Sequence, residues 1–183
     1  GLAVPLPASF DWRDRDGQSY VTSVKDQGQC GSCYAFAALG NFESHLLIGT
    51  GQSYDFSENN AKECNYRQTS CSGGSSLDIA SLFSQKGTVL ESCDPYTETH
   101  LSGCKADCPY VRTLLNWRMI SGDAVPSTEV LKRYVYAQGP VFTAMYAGEN
   151  DAWQAQLSSY DGSYTLVHPG TQTPNHSVLI VGW

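Results

Sequence analysis

The sequence predicts an α+β protein, helical in its first part and strand-rich in its second. Apolar residues recur at helical spacing between Phe36 and Leu47, and short β-favouring runs follow a change of character near Thr113. Small turn-forming residues separate these segments. Phe36, Leu39, Phe42, Leu46 and Leu47 give the principal helix, from about Ser32 to Leu47, with Gly49 expected to stop it. Ahead of it, the prolines at 5 and 7 and several charges make residues 1–20 an extended arm, and Val21 to Lys25 reads as a short strand. Ser57 suits the N-cap of a short helix ending near Cys64, and Leu77, Ile79, Ala80, Leu82 and Phe83 indicate another ending at Gly87. Glu91 to Tyr110, with three cysteines and two prolines, is irregular. Beyond it, Leu114–Ile120, Val141–Tyr146, Ser163–Val167 and His176–Val181 read as strands, with a helix capped by Ser127 and carrying Val130, Leu131, Tyr134 and Val135.

With 183 residues, 41% hydrophobic and 16% charged, the chain can bury a sizeable core as one domain or two small ones sharing a cleft. The formal charge of −7 and the lack of Lys/Arg clusters disfavour nucleic acid and anionic membranes as partners. No apolar run reaches membrane-spanning length and Gly1 opens no signal-like segment, so a soluble chain is expected. Seven cysteines suit an oxidising compartment, and their odd number leaves one thiol after three pairings. Zinc would require tighter paired spacing than Cys64/Cys71 and Cys104/Cys108 offer, and neither a metal nor another cofactor is expected.

The leftover thiol matters most if it is Cys33, at the expected helix start. Unbonded backbone N–H groups and the helix dipole favour a thiolate there, and such sites bring a cysteine from about 8.5 to roughly 3.5–7.5. Cys30-x-x-Cys33 is also the spacing of a redox dithiol, so a nucleophile and a redox pair both remain open on these residues. A nucleophile needs a proton carrier near neutral pH, the task of histidine. His45 lies on the same helix at about 18 Å by helical rise, too far to serve. His100 falls in the irregular region and His168 beside Pro169 in a loop. His176 enters an apolar strand, where a core histidine is an equally ordinary reading.

The segment Gln27-Gly28-Gln29-Cys30-Gly31-Ser32-Cys33-Tyr34-Ala35-Phe36 resembles the nucleophile segment of papain-like cysteine proteases. Asn175-His176-Ser177-Val178-Leu179-Ile180-Val181-Gly182-Trp183 is similar to that family's histidine strand, and Pro7–Arg13 to the start of its mature enzymes. His176 follows Cys33 by 143 residues, within the family's separation of about 130–150. The resemblance implies a two-lobed α+β fold with the active-site cleft between the lobes. After the arm 1–20 come a helical left lobe, 21–112, and an antiparallel β-barrel right lobe, 113–183, lacking its last strands.

It further implies an endopeptidase working through an acyl-thioester at Cys33, with His176 as general base and acid. Gln27 and the Cys33 backbone N–H would stabilise the oxyanion. Gly31, Gly73 and Gly74 match positions lying along the substrate backbone; Ser76, Ala144 and Ser177 match the pocket for the second side chain upstream of the cut; Asn175 is grouped with these substrate-side residues. The implied disulfides are Cys30–Cys71, Cys64–Cys104 and Cys93–Cys108. Partners would be polypeptide substrates, an inhibitory propeptide or protein inhibitor, and a C-terminal light chain, in a secreted or lysosome-like setting.

Two departures stand out. Tyr34 replaces a common tryptophan, and the Asn-Ser-Trp stretch whose asparagine orients the imidazole is absent from these 183 residues. Asn175 should not substitute, since neighbours in a strand point to opposite faces. The alternative reading is therefore a catalytically impaired scaffold that binds peptides without turnover.

Overall fold

The computed structural model describes residues 5–122 and 124–183; residues 1–4 of the expected arm lie outside them. Its central element is α1 (Cys33–Thr50), which runs past the expected end at Leu47. Gly49 stays helical, and Gly51 takes the left-handed position (φ 71°) and returns its N–H to the Leu47 carbonyl. Helix α1 is covered by α2 (Glu58–Cys64) and α3 (Ser76–Gln85), and also by strands β1 (Val141–Met145) and β2 (His176–Ile180). Leu39 packs with Phe56, Ala61, Ile79 and Leu82 in a fully buried cluster, and Phe42 stacks on Phe56 and Phe83. Burying side chains of this kind stabilises the fold by about 1.5–3 kcal/mol each.

The capping expectations hold. The Ser57 hydroxyl accepts from the Asn60 N–H at the start of α2, and Ser127 accepts from Val130 at the start of α4 (Thr128–Gln138). Between the two strands lies a helix with no expectation behind it, α5 (Ala152–Ser158), capped by Asp151 through the Gln154 N–H. The fold is α+β, helices with an antiparallel sheet, as the sequence predicts.

Three strand expectations fail. Val21–Lys25, Leu114–Ile120 and Ser163–Val167 join no β-ladder. Each has β-favouring residues, but a strand exists only by pairing, and Val24 and Leu115 stand almost wholly in solvent. The regular sheet among the described residues has two strands, with Ala144 opposite Ser177 and Met145 opposite His176. The N-terminal arm supplies a third, irregular member. Trp12 donates its N–H to Val181, while Phe10 and Trp183 exchange backbone hydrogen bonds at 2.9 and 2.8 Å. One 3-10 turn, Trp12–Asp14, interrupts the arm, and the buried Trp12 indole donates to the Val135 carbonyl.

Beside α1, Lys25 Nζ lies 2.6 Å from Asp55, 2.7 Å from Glu58 and 3.8 Å from Glu43. Burial pushes Glu58 up to about 7 against the attraction of Lys25, and it also raises Glu43 and Glu91. A carboxyl raised on folding holds its proton more tightly in the folded state. Its stabilising contribution is complete below the ordinary glutamate value and is lost as pH rises through about 7. The melting temperature is accordingly expected to fall by roughly 2–8 °C from pH 5 to pH 8. Glu58→Gln should flatten that dependence in a thermal-unfolding series, and an unchanged slope would contradict this account.

Candidate active site

Cys33 is the first residue of α1, so its backbone N–H is among those a helix start leaves without an intrahelical partner. Disulfides join Cys30 to Cys71, Cys64 to Cys104 and Cys93 to Cys108. Cys33 remains free and half-buried. With Cys30 tied to Cys71, Cys30 and Cys33 are not a dithiol pair. The 30–71 bridge also brings two chain segments into contact. Gly31 donates its N–H to the Cys71 carbonyl, and a Cβ at Gly31 would lie 2.4 Å from that oxygen, so only glycine fits.

Strand β2 lies across α1 and delivers His176, its first residue, to the sulfur. Burial pushes the Cys33 thiol up. The His176 hydrogen bond, the Ser177 N–H, the imidazolium charge and the Ser177 hydroxyl overcome it and bring the thiol below its usual range. Conversely, the hydrogen bond to Cys33 raises His176 above the usual imidazole range, burial opposes this, and the thiolate charge adds to it. Both directions favour a thiolate–imidazolium pair.

Of the other histidines, His45 meets the Pro140 carbonyl, His100 accepts from the Cys71 N–H, and His168 lies against the Tyr146 and Trp153 rings. Gln27 reaches the same turn as Cys33, and its Nε2 donates to the Cys30 carbonyl at 2.8 Å. The amide carries a second N–H for another acceptor. Gly73 adopts a left-handed conformation (φ 87°), and Gly74 lies under the Tyr34 ring, where a Cβ would come within 2.5 Å. The Tyr34 hydroxyl in turn donates to the Ser70 carbonyl. Tyrosine in place of tryptophan therefore both roofs the glycine turn and ties it down.

Ser76 at the start of α3 and Ala144 on β1 line a groove of about 750 Å³ that continues past Asn41, Leu131 and Phe142. Ser177, expected in that pocket, contacts the sulfur through its N–H and its hydroxyl. Asn175 spends its side chain on the neighbouring turn, accepting from the Ala147 N–H and donating to the Gly148 carbonyl. It does not hold the imidazole, for which Cys33 is the partner among the described residues. Two residues near the site have no local sequence signal: Tyr96 and Glu98, from the bridged loop, bond to the backbone of Gln27 and Gln29.

Fold and site together place a free thiol against an imidazole at a helix start on an α+β scaffold. The chain belongs to the papain family of cysteine proteases; the family model described as "Papain family cysteine protease" matches residues 6–183. A viral cathepsin of Heliothis zea nuclear polyhedrosis virus is 33% identical over 181 residues, covering 98% of this chain and 46% of that protein. The structure of digestive procathepsin L 3 from Tenebrio molitor larval midgut superposes with a TM-score of 0.81 at 31% identity, covering 97% of this chain and 55% of the other. The bromelain protease of Ananas comosus, solved with the inhibitor E64, gives 0.80 at 27% identity, covering 97% of this chain and 76% of the other. The chain spans about half the length of the curated relatives it matches.

Proposed function

We propose that the protein is a cysteine endopeptidase that cleaves peptide bonds through an acyl-thioester. The observation carrying this reading is the free Cys33 at the start of α1, lowered by His176, which it raises in turn. The thiolate adds to the scissile carbonyl, forming a C–S bond and an oxyanion held by the Cys33 N–H and the spare N–H of Gln27. The His176 imidazolium gives its proton to the departing amine as the C–N bond breaks. Neutral His176 then takes a proton from water, whose oxygen attacks the thioester, releasing the acid and regenerating the thiolate. Gly31, Gly73 and Gly74 present backbone along the substrate, and Ser76 and Ala144 border the pocket for its side chain.

Polypeptides are the substrates in this reading, and an inhibitory propeptide or protein inhibitor would occupy the same cleft. The procathepsin and the E64 complex among the relatives support both kinds of partner. A C-terminal light chain is supported by the open groove, to whose lining the exposed Trp117 and Met119 contribute, and by the exposed Leu115 next to them. A secreted or lysosome-like setting agrees with three disulfides and with a carboxyl cluster stabilising at acid pH.

The test is a peptide epoxide that alkylates cysteine, applied to the full-length protein, followed by peptide mapping. One adduct at Cys33, with loss of peptidase activity, is expected. Label elsewhere, or none on folded reduced protein, would overturn the reading. The second reading is peptide binding without turnover. Labelling of Cys33 without measurable hydrolysis would establish it.

A further inference from the structure

Ser32 occupies the N-cap of α1 and is fully buried, yet its hydroxyl makes no capping bond. Serine at that position ordinarily accepts from a first-turn N–H, as Ser57, Ser75 and Ser127 do elsewhere in this chain. Here the hydroxyl is engaged by Tyr96, at 2.7 Å. The Tyr96 hydroxyl also lies 2.8 Å from the Gln27 carbonyl, to which it donates. A phenol has one proton; with it on the Gln27 carbonyl, the Ser32 hydroxyl donates to Tyr96 at 2.7 Å in preference to the Cys30 carbonyl, which lies farther off at 3.4 Å. That order spends the Ser32 proton on Tyr96, and its hydroxyl oxygen caps no first-turn N–H; Ala35 donates instead to the Ser32 backbone carbonyl, at 2.8 Å.

Through this relay one side chain joins the residue before the nucleophile to the residue expected to hold the oxyanion. The turn between them closes on itself, because the Ser32 N–H and Gln27 Nε2 both donate to the Cys30 carbonyl, at 2.7 and 2.8 Å. The brace comes from a distant part of the chain. Tyr96 stands edge-on to Phe36 at 4.9 Å, its own N–H is bound by Glu91, and Glu98 accepts from the Gln29 N–H at 2.7 Å. The loop carrying Tyr96 and Glu98 lies between Cys93 and Cys104, each of them in a disulfide.

We propose that Tyr96 is a positioning residue of the peptidase, its hydroxyl setting the Gln27 turn at the spacing from Cys33 that oxyanion binding requires. This rests on the peptidase reading above. Tyr96→Phe keeps the ring on Phe36 and removes only the relay. It should lower kcat roughly 10–100-fold, leave KM within about twofold and leave the melting temperature within a few degrees, as a misplaced transition-state donor would. In a Gln27→Ala background the same change should cost nothing further, because Tyr96 acts through Gln27. Should Tyr96→Phe fail to fold, Ser32→Ala removes the other anchor of the Tyr96 hydroxyl while leaving its bond to Gln27, and should lower kcat severalfold at unchanged KM; an unchanged kcat there would overturn the proposal equally. Unchanged kcat in Tyr96→Phe, or losses that multiply in the double variant, would overturn the proposal while leaving Cys33-dependent turnover intact. Absence of any Cys33-dependent turnover would overturn it together with the peptidase reading.

Discussion

Replacing Cys33 by alanine is expected to reduce kcat/KM on peptide substrates on the order of 10⁴–10⁶-fold, the loss that follows when a catalytic nucleophile is removed and the other groups stay in place. The change should leave the fold intact. Cys33 is the one cysteine outside the disulfides, it is half-buried, and alanine is the best helix former for the first turn of α1. Steady-state hydrolysis with a melting curve on the same sample checks both halves of the statement. A variant retaining more than a hundredth of the parental kcat/KM would remove the acyl-thioester from consideration.

The second large effect belongs to His176→Ala. Loss of the proton carrier should cost about as much in kcat/KM, since nucleophile and base act as a unit. A second signature separates it from Cys33→Ala. Burial is the largest influence on the Cys33 thiol and pushes it up; the leading opposing influence is the His176 hydrogen bond, followed by the Ser177 N–H. Without His176 the balance moves upward, so the pH at which half of Cys33 reacts with a small alkylating agent should rise. In the parent the lowered thiol and the raised imidazole both favour the thiolate–imidazolium pair, and the acid limb of reactivity follows the thiol. Alkylation rates measured between about pH 4 and pH 10 on both proteins decide it. An acid limb unmoved by the substitution would show that His176 does not govern the sulfur.

How much of this was legible depended on how local each signal was. The start of α1 and the caps at Ser57 and Ser127 were readable because each is a pattern within a few residues, whereas the free state of Cys33 followed from an odd cysteine count and the pairing that family likeness implies. His176 was readable only through family likeness, since an imidazole entering an apolar strand has the same local pattern whether it faces a nucleophile or a core. Leu115, Trp117 and Met119 alternate as a strand should, yet alternation records which faces differ and not whether a partner strand is present. α5 went unread because its seven residues carry no continuous apolar stripe, and Asp151 was its one start signal. The Tyr96 relay was beyond reach, because it joins hydroxyl and carbonyl groups 64 and 69 positions apart.

The backbone hydrogen bonds between residues 10–12 and 181–183 have a mechanical meaning for the imidazole. His176 rides on a strand whose far end is fastened to the amino-terminal arm, and Trp12 fastens that arm in turn to the carbonyl of Val135. Tension applied upstream of Phe10 therefore has a short, stiff route to the ring facing Cys33.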